Sequence, residues 1–259
     1  TWCHPVEWKL TTLKGALTAS QNATKNNGWY PIFFENHDRP RAVNYYFPKG
    51  APTNAAAKAL ATVLLTLRGT PFIYEGQEIG CSNVSWDSID TYNDISSHSQ
   101  YEFALKEGFT PEQALEFVHD FSRDNARTPM QWDNSKNAGF TTGTSWLPVN
   151  DDYSFVNVAA EDADENSVLN WYRKLAKLRA DNDVFVAGNY EELLVDSEEI
   201  FAFARTLGDK KFITAVNFTH KTVTLPEDFQ RYKIFADTDN DPNSEVLRPF
   251  EGRILTLNN

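Results

Sequence analysis

The sequence predicts an α/β segment on a parallel sheet, residues 1–181, followed by an antiparallel β-sandwich, residues 182–259. Three observations predict it. Up to about residue 80, helical apolar spacing alternates with short apolar runs, which implies parallel strands joined by right-handed crossovers. Residues 79–165 then form one long excursion of the kind that carries function. Beyond Asp181-Asn182-Asp183, short β-rich runs are separated by turn residues at regular intervals.

Each element has its own signal. Val6, Leu10, Leu13 and Leu17 recur at helical spacing after Pro5, a residue suited to a first turn, and the helix should stop before Asn26-Asn27-Gly28. Tyr30-Pro31-Ile32-Phe33-Phe34 is a short apolar run, read as a strand covered on both faces. Thr53 or Asn54 is placed to cap a second helix, with Ala56, Leu60, Val63, Leu64 and Leu67 inward and Gly69 near its stop. Pro71-Phe72-Ile73-Tyr74 is a second buried strand, ending in Glu75-Gly76-Gln77-Glu78.

Within the excursion, helices are expected near 98–107 and 112–122, the latter burying Ala114, Leu115, Val118 and Phe121. A further helix, from about Ser167 to Ala180, should turn Val168, Tyr172, Leu175 and Ala176 inward. The later β-runs fall at 190–195, 200–207, 211–218, 221–225, 232–236 and 253–257.

Composition excludes several classes. With 41% hydrophobic and 14% aromatic residues the chain can build a sizeable core. Its 24 basic against 36 acidic residues give a net charge of −12, a field that repels phosphate backbones and anionic membrane surfaces. A neutral substrate suits it better. Only Cys3 and Cys81 are present, too few for a disulfide framework, which points to a reducing, cytoplasmic setting. No apolar run is long enough to span a membrane. The opening Thr1-Trp2-Cys3-His4 has no initiator Met and reads as a cut through a longer protein. The triplets beginning at Asn22, Asn83 and Asn217 match the glycosylation acceptor pattern but arise often by chance.

Two polar clusters carry the chemistry. Glu35-Asn36-His37-Asp38-Arg39-Pro40-Arg41 stands where the first strand gives way to a loop, and in parallel barrels polar residues at strand C-termini line the active site. The second cluster is Arg123-Asp124-Asn125-Ala126-Arg127-Thr128-Pro129-Met130-Gln131-Trp132-Asp133.

Phe34-Glu35-Asn36-His37-Asp38-Arg39-Pro40-Arg41 resembles the fourth conserved region of the α-amylase family of glycoside hydrolases. Gly69-Thr70-Pro71-Phe72-Ile73-Tyr74-Glu75-Gly76-Gln77-Glu78-Ile79-Gly80 is similar to that family's stretch around the eighth barrel strand. Ala126 to Asp133 resembles the branch that holds oligo-1,6-glucosidases, dextran glucosidases, α-glucosidases and sucrose isomerases. The resemblance covers nearly the whole chain. It implies the last part of a (β/α)8 TIM barrel, from about strand seven to helix eight with a long final loop, then a C-terminal β-domain.

The family's chemistry is retaining: one carboxylate attacks the anomeric carbon while a carboxylic acid about 5 Å away protonates the leaving oxygen. By the resemblance both groups, and the usual calcium loop, fall outside these residues, so the chain alone is expected to turn over no glycoside. No cofactor is expected within it. The expected partners are a small neutral oligosaccharide and the remainder of its own barrel, not nucleic acid or membrane.

The resemblance also implies residue roles. Asp38, the transition-state stabiliser, and His37 would hold hydroxyls of the glucose before the scissile bond. Arg127 would hold the far end of that glucose. Glu35 stands where the family commonly has Asn or Asp and would border the leaving-group subsite. Arg41 either orients a neighbouring carboxylate in the site or braces the loop through a salt bridge.

The other candidates are read as structural. Glu75 and Glu78 belong here, and His4, His98, His119 and His220 share no metal-ligand spacing. Asp237-Thr238-Asp239-Asn240-Asp241 lacks the Gly and terminal Glu of a calcium loop. Trp86, Trp132 and Trp146 are expected to pack the long loop. The leading expectation is an α-glucosidase acting on short α-glucans. A sucrose isomerase or transglucosidase shares the same motifs, and a non-catalytic transporter-associated relative or a carbohydrate-binding module are the readings outside enzymology.

Overall fold

The computed structural model describes residues 1–240 and 245–257. Helix α1, Leu10–Ala23, is followed by strand β1, Pro31–Ile32, the short helix α2, Ala42–Tyr45, helix α3, Thr53–Thr66, and strand β2, Thr70–Pro71. The excursion contains α4, Ile95–Lys106, α5, Pro111–Phe121, and α6, Val158–Ala163. Then come α7, Val168–Asp181, and α8, Asp183–Ala187. The remainder is β3, Asn189–Leu193, β4, Ile200–Leu207, β5, Lys210–Asn217, β6, Val223–Thr224, α9, Glu227–Gln230, β7, Lys233–Asp237, β8, Val246–Leu247, and β9, Gly252–Thr256.

These elements form two compact units. One comprises Thr1–Glu7, Glu35–Lys49 and Ile73–Leu169; the other comprises Trp8–Phe34, Gly50–Phe72 and Asn170–Asn259. Position 181, the boundary expected from sequence, lies inside the second unit. There α3 packs against the sheet: a Cβ on Gly252 of β9 would come within 2.8 Å of Thr62 Oγ1, and Thr214 of β5 donates to Thr66.

In that second unit, β1 and β2 pair in parallel, with Thr70 N–H donating to the Tyr30 carbonyl at 2.9 Å and Phe72 N–H to Ile32 at 2.8 Å. The parallel pairing agrees with the sequence. The burial does not, because Phe33 and Phe72 are 48% and 57% exposed. Each strand has a single ladder partner among the described residues, so one flank stays open. Gly69 is required at this crossing: its φ is +138°, and a Cβ there would sit 2.3 Å from the Tyr30 carbonyl oxygen.

Helix α3 is buried nearly all round, as a helix apolar on every face must be. Its C-terminal carbonyls are held by two arginines. Arg179 Nη1 donates to Leu65 and Leu67, and Arg205 Nη1 donates to Thr66; both reach the Phe185 carbonyl as well. Carbonyls at a helix C-terminus lack intrahelical donors and carry partial negative charge, so guanidiniums stabilise them. Burial pushes Arg205 down to about 9. Arg179 and Trp171 occupy the inner face of α7, whereas Ala176 is exposed, contrary to expectation.

Helix α1 starts four residues later than the Val6 periodicity implies, and Val6 is 93% exposed. The reason is a distant cap. Glu198 accepts from the Leu10 and Thr11 amides at 2.7 and 3.4 Å, so the first free N–H groups of the helix are satisfied from 188 residues away.

The antiparallel sheet runs β3-β4-β5-β9-β7. One face, with Ile200, Ala202, Ala204, Ile213, Ala215 and Leu255, packs with Leu225, Phe229, Tyr232 and Leu247. The layer beyond that face is therefore the short β6–β8 ladder and α9 rather than a second full sheet. In the acidic turn, Asp237 Oδ1 accepts from the Asp239 amide; Asp241 and Pro242 lie outside the described residues.

Candidate active site

The first unit builds the site from the loop after β1 and from the segment after α5. Helix α5 begins with a reciprocal cap between Thr110 and Gln113 and with Pro111 in its first turn. It ends at Ser122, whose hydroxyl accepts from the Asp124 amide at 3.1 Å and starts a tight turn over Arg123–Ala126. That turn aims Arg123 and Arg127. Farther on, Gln131 is fully buried and donates to Asp152 Oδ1 at 2.9 Å, anchoring the segment.

Three of the expected residues meet. Arg127 donates from Nη2 to Asp38 Oδ1 at 3.0 Å and from Nε to the His37 carbonyl at 2.9 Å. His37 Nε2 lies 3.3 Å from Asp38 Oδ2. The Asn36 side chain accepts from the Asp38 amide at 2.8 Å and holds the loop turn. Half of the Asp38 side chain and more than half of His37 face open space, so both present free polar atoms.

The other two do not join them, which corrects the expectation for Glu35 as a subsite wall. Glu35 and Arg41 are buried and bond to each other at 3.0 Å. Glu35 Oε1 also accepts from the Ala42 amide at 2.9 Å. Arg41 further donates to the Glu75 and Asn125 carbonyls at 2.8 and 3.1 Å and lies over the Tyr74 ring. Both side chains are buried, and the pair braces the loop. Burial pushes the Glu35 carboxyl up from its ordinary range, while the Arg41 guanidinium opposes that shift. Gly76, at φ +89°, allows this close approach, since its Cβ would stand 3.1 Å from both terminal nitrogens of Arg41.

Sequence reasoning missed a second layer of charge. Arg123 donates from Nε to both carboxylate oxygens of buried Asp94 at 3.1 Å, and from Nη2 to Asp94 Oδ1. Its Nη1 lies 3.5 Å from Asp38 Oδ1. Arg127 Nη1 lies 3.6 Å from Asp124 Oδ1, and Asp124 Oδ2 accepts from the Asn93 and Asp94 amides at 2.7 and 2.9 Å. Burial would raise the Asp94 carboxyl, but bonds from Arg123 and the Ser96 amide outweigh it and hold the group below its ordinary value. Only the adjacent Arg123-Asp124 signalled this layer in the sequence.

Beside Asp38 and Arg123 opens a cavity of about 410 Å³, lined also by Trp2, Tyr45, Ser96, Gln100 and Phe121. Trp132 and Trp146, expected to pack the long loop, are instead 51% and 65% exposed. Glu75 is exposed, while Glu78 is partly buried and its carboxyl is raised by that burial. Among the described residues, no three His, Cys, Asp or Glu side chains gather as a metal cage. Cys3 and Cys81 are both free and buried. No described helix is long and apolar enough to cross a membrane.

Comparison with known proteins identifies a family. The model of the alpha amylase catalytic domain matches residues 3–188. The oligo-1,6-glucosidase of Parageobacillus thermoglucosidasius is 42% identical over 96% of this chain and 46% of its own length, and that of Bacillus cereus 39% over the same shares. The chain thus spans about half the length of the curated relatives it matches. Among solved structures, an isomaltulose synthase mutant from Erwinia rhapontici NX5 in complex with sucrose aligns with a TM-score of 0.88 at 36% identity, covering 99% of this chain and 48% of that one. A trehalose-6-phosphate hydrolase mutant from Bacillus licheniformis aligns at 0.91 and 33%, with the same coverage. By both the family match and the fold likeness, this chain belongs to the alpha-amylase family.

Proposed function

We propose that the chain forms part of a retaining α-glucosidase and supplies the groups that grip a terminal α-linked glucose of a short oligosaccharide. The observation that carries this reading is the convergence of Asp38, His37 and Arg127 through contacts of 2.9–3.3 Å. An ionised Asp38 accepting from sugar hydroxyls makes charge-assisted bonds that tighten as the ring gains positive charge. Such bonds favour the transition state over the bound substrate. His37 supplies a second hydrogen-bonding group on the same side, and the planar Arg127 fork limits the far end of the sugar and favours a chain terminus.

In this reading β1 and β2 correspond to the seventh and eighth strands of a (β/α)8 barrel, and α7 to its eighth helix. The nucleophile and the general acid come from the rest of that barrel, which is the chain's natural partner. Glu35 and Arg41 hold the Asp38 loop and do not touch substrate. A cytoplasmic location fits the two reduced cysteines and the small neutral substrate. The oligo-1,6-glucosidase relatives support an α-1,6 preference.

The likeness to isomaltulose synthases favours a second reading, glucosyl transfer within sucrose. Both readings use the same grip. Assaying the catalytically complete protein on isomaltose, maltose and sucrose separates them: glucose release from isomaltose supports the first, and isomerised sucrose the second. Absence of turnover on all three contradicts both.

A further inference from the structure

We infer that Arg123, clamped by Asp94, is a positioning residue that fixes the Asp38 carboxylate in its working orientation. This rests on the reading of Asp38 as the sugar-gripping carboxylate and adds to it the device that holds that group still.

The geometry makes the case in three steps. Asp38 is half exposed, so its side chain has room to rotate. Two guanidiniums approach the same oxygen: Arg127 Nη2 at 3.0 Å and Arg123 Nη1 at 3.5 Å from Oδ1. That leaves Oδ2, beside His37, to receive a hydroxyl. Arg123 is itself anchored by hydrogen bonds on buried Asp94, while Arg127 Nη1 stands 3.6 Å from Oδ1 of buried Asp124. Those two acids are tied together, because Asp124 Oδ2 accepts the amides of Asn93 and Asp94. Asp94 has a further fixed duty as the N-terminal cap of α4, accepting from the Ser96 amide at 3.2 Å. Arg123 therefore has no freedom to follow a moving Asp38; it restrains it. Preorganised charge of this kind costs no reorganisation at the moment of reaction.

A brace for the fold alone would have needed only the Arg123–Asp94 pair. The Nη1 nitrogen is instead spent toward Asp38. A lysine ammonium has three donors on one atom and lacks the planar fork that here reaches Asp94 through Nε and Nη2 and Asp38 through Nη1.

The test is a double-mutant cycle in the catalytically complete protein, with kcat and KM for isomaltose and the melting temperature measured for Arg123→Gln, Asp38→Asn and the pair. Arg123→Gln is expected to lower kcat about 10- to 100-fold with KM nearly unchanged, the loss of one charge-assisted restraint. In the Asp38→Asn background it should cost no more than about twofold further, because the two act through one group. Losses that multiply in the double variant, or a retained kcat, overturn the proposal. If Arg123→Gln fails to fold, Arg123→Lys takes its place, with an intermediate loss of kcat expected and full activity contradicting it. If the wild-type protein turns over no α-glucoside, the functional reading fails, and the positioning claim is judged by a crystal structure of the variant. There Asp38 should leave its hydrogen bond with Arg127 or adopt more than one rotamer, and an unmoved Asp38 overturns it.

Discussion

Arg127 and Asp38, 89 positions apart in sequence, meet at 3.0 Å through Nη2 and Oδ1, while Arg127 Nε holds the carbonyl of His37 beside it. One guanidinium thus fixes both a side chain and the backbone that carries it, and substitution should separate the two roles. In the catalytically complete protein, Arg127→Ala is expected to reduce kcat/KM about 100-fold, the size of effect seen when a preorganised donor is lost from a reacting centre. Arg127→Lys should restore little, since a point charge cannot make two parallel bonds. Steady-state kinetics on isomaltose check both.

The Glu35–Arg41 pair predicts a stability effect. Arg41→Ala strands a buried carboxylate and should cost roughly 3–5 kcal/mol in urea unfolding. Glu35→Leu combined with Arg41→Met should cost clearly less, because no lone charge remains. Equal losses from the single and double variants would contradict the account.

Asp94 predicts a pH dependence. Arg123 and the Ser96 amide hold its carboxyl below the ordinary 3.8, against the opposing effect of burial. A group whose folded value is depressed adds stability that is fully present above the unfolded value. That stability is lost as pH falls through the folded value. Melting temperature should therefore decline as pH drops below about 4. The Asp94→Asn variant should start lower and lose less over that range.

Gly69→Ala places a Cβ 2.3 Å from the Tyr30 carbonyl at a φ of +138°. The β1–β2 ladder should open, with a loss of about 1–3 kcal/mol. Faster hydrogen exchange at the Thr70 and Phe72 amides would report it.

Elements with local causes were legible in the sequence. Periodicity located α3, α5 and α7, and turn residues located the antiparallel strands other than β8. The meeting of Asp38, His37 and Arg127 was legible through the resemblance, because Asn36-His37-Asp38 and Ala126-Arg127-Thr128-Pro129 are short, contiguous signatures. What was not legible depends on partners far along the chain. The start of α1 is decided by Glu198, the end of α3 by Arg179 and Arg205, and the place of Arg123 by Asp94. Glu35 was misplaced for a related reason, and of the two roles open to Arg41 the salt-bridge brace is the one observed. Their charge reads as exposure in a one-dimensional pattern, yet each neutralises the other in the interior.

The central claim is that Asp38, His37 and Arg127 hold one terminal glucose. Its most direct test is a crystal structure of the catalytically complete protein with the glucose-shaped inhibitor 1-deoxynojirimycin. The account predicts ring hydroxyls within hydrogen-bond distance of the Asp38 carboxylate and His37, with Arg127 beside the far end of the ring. An inhibitor seated in the catalytic cleft but touching none of these three side chains would contradict it.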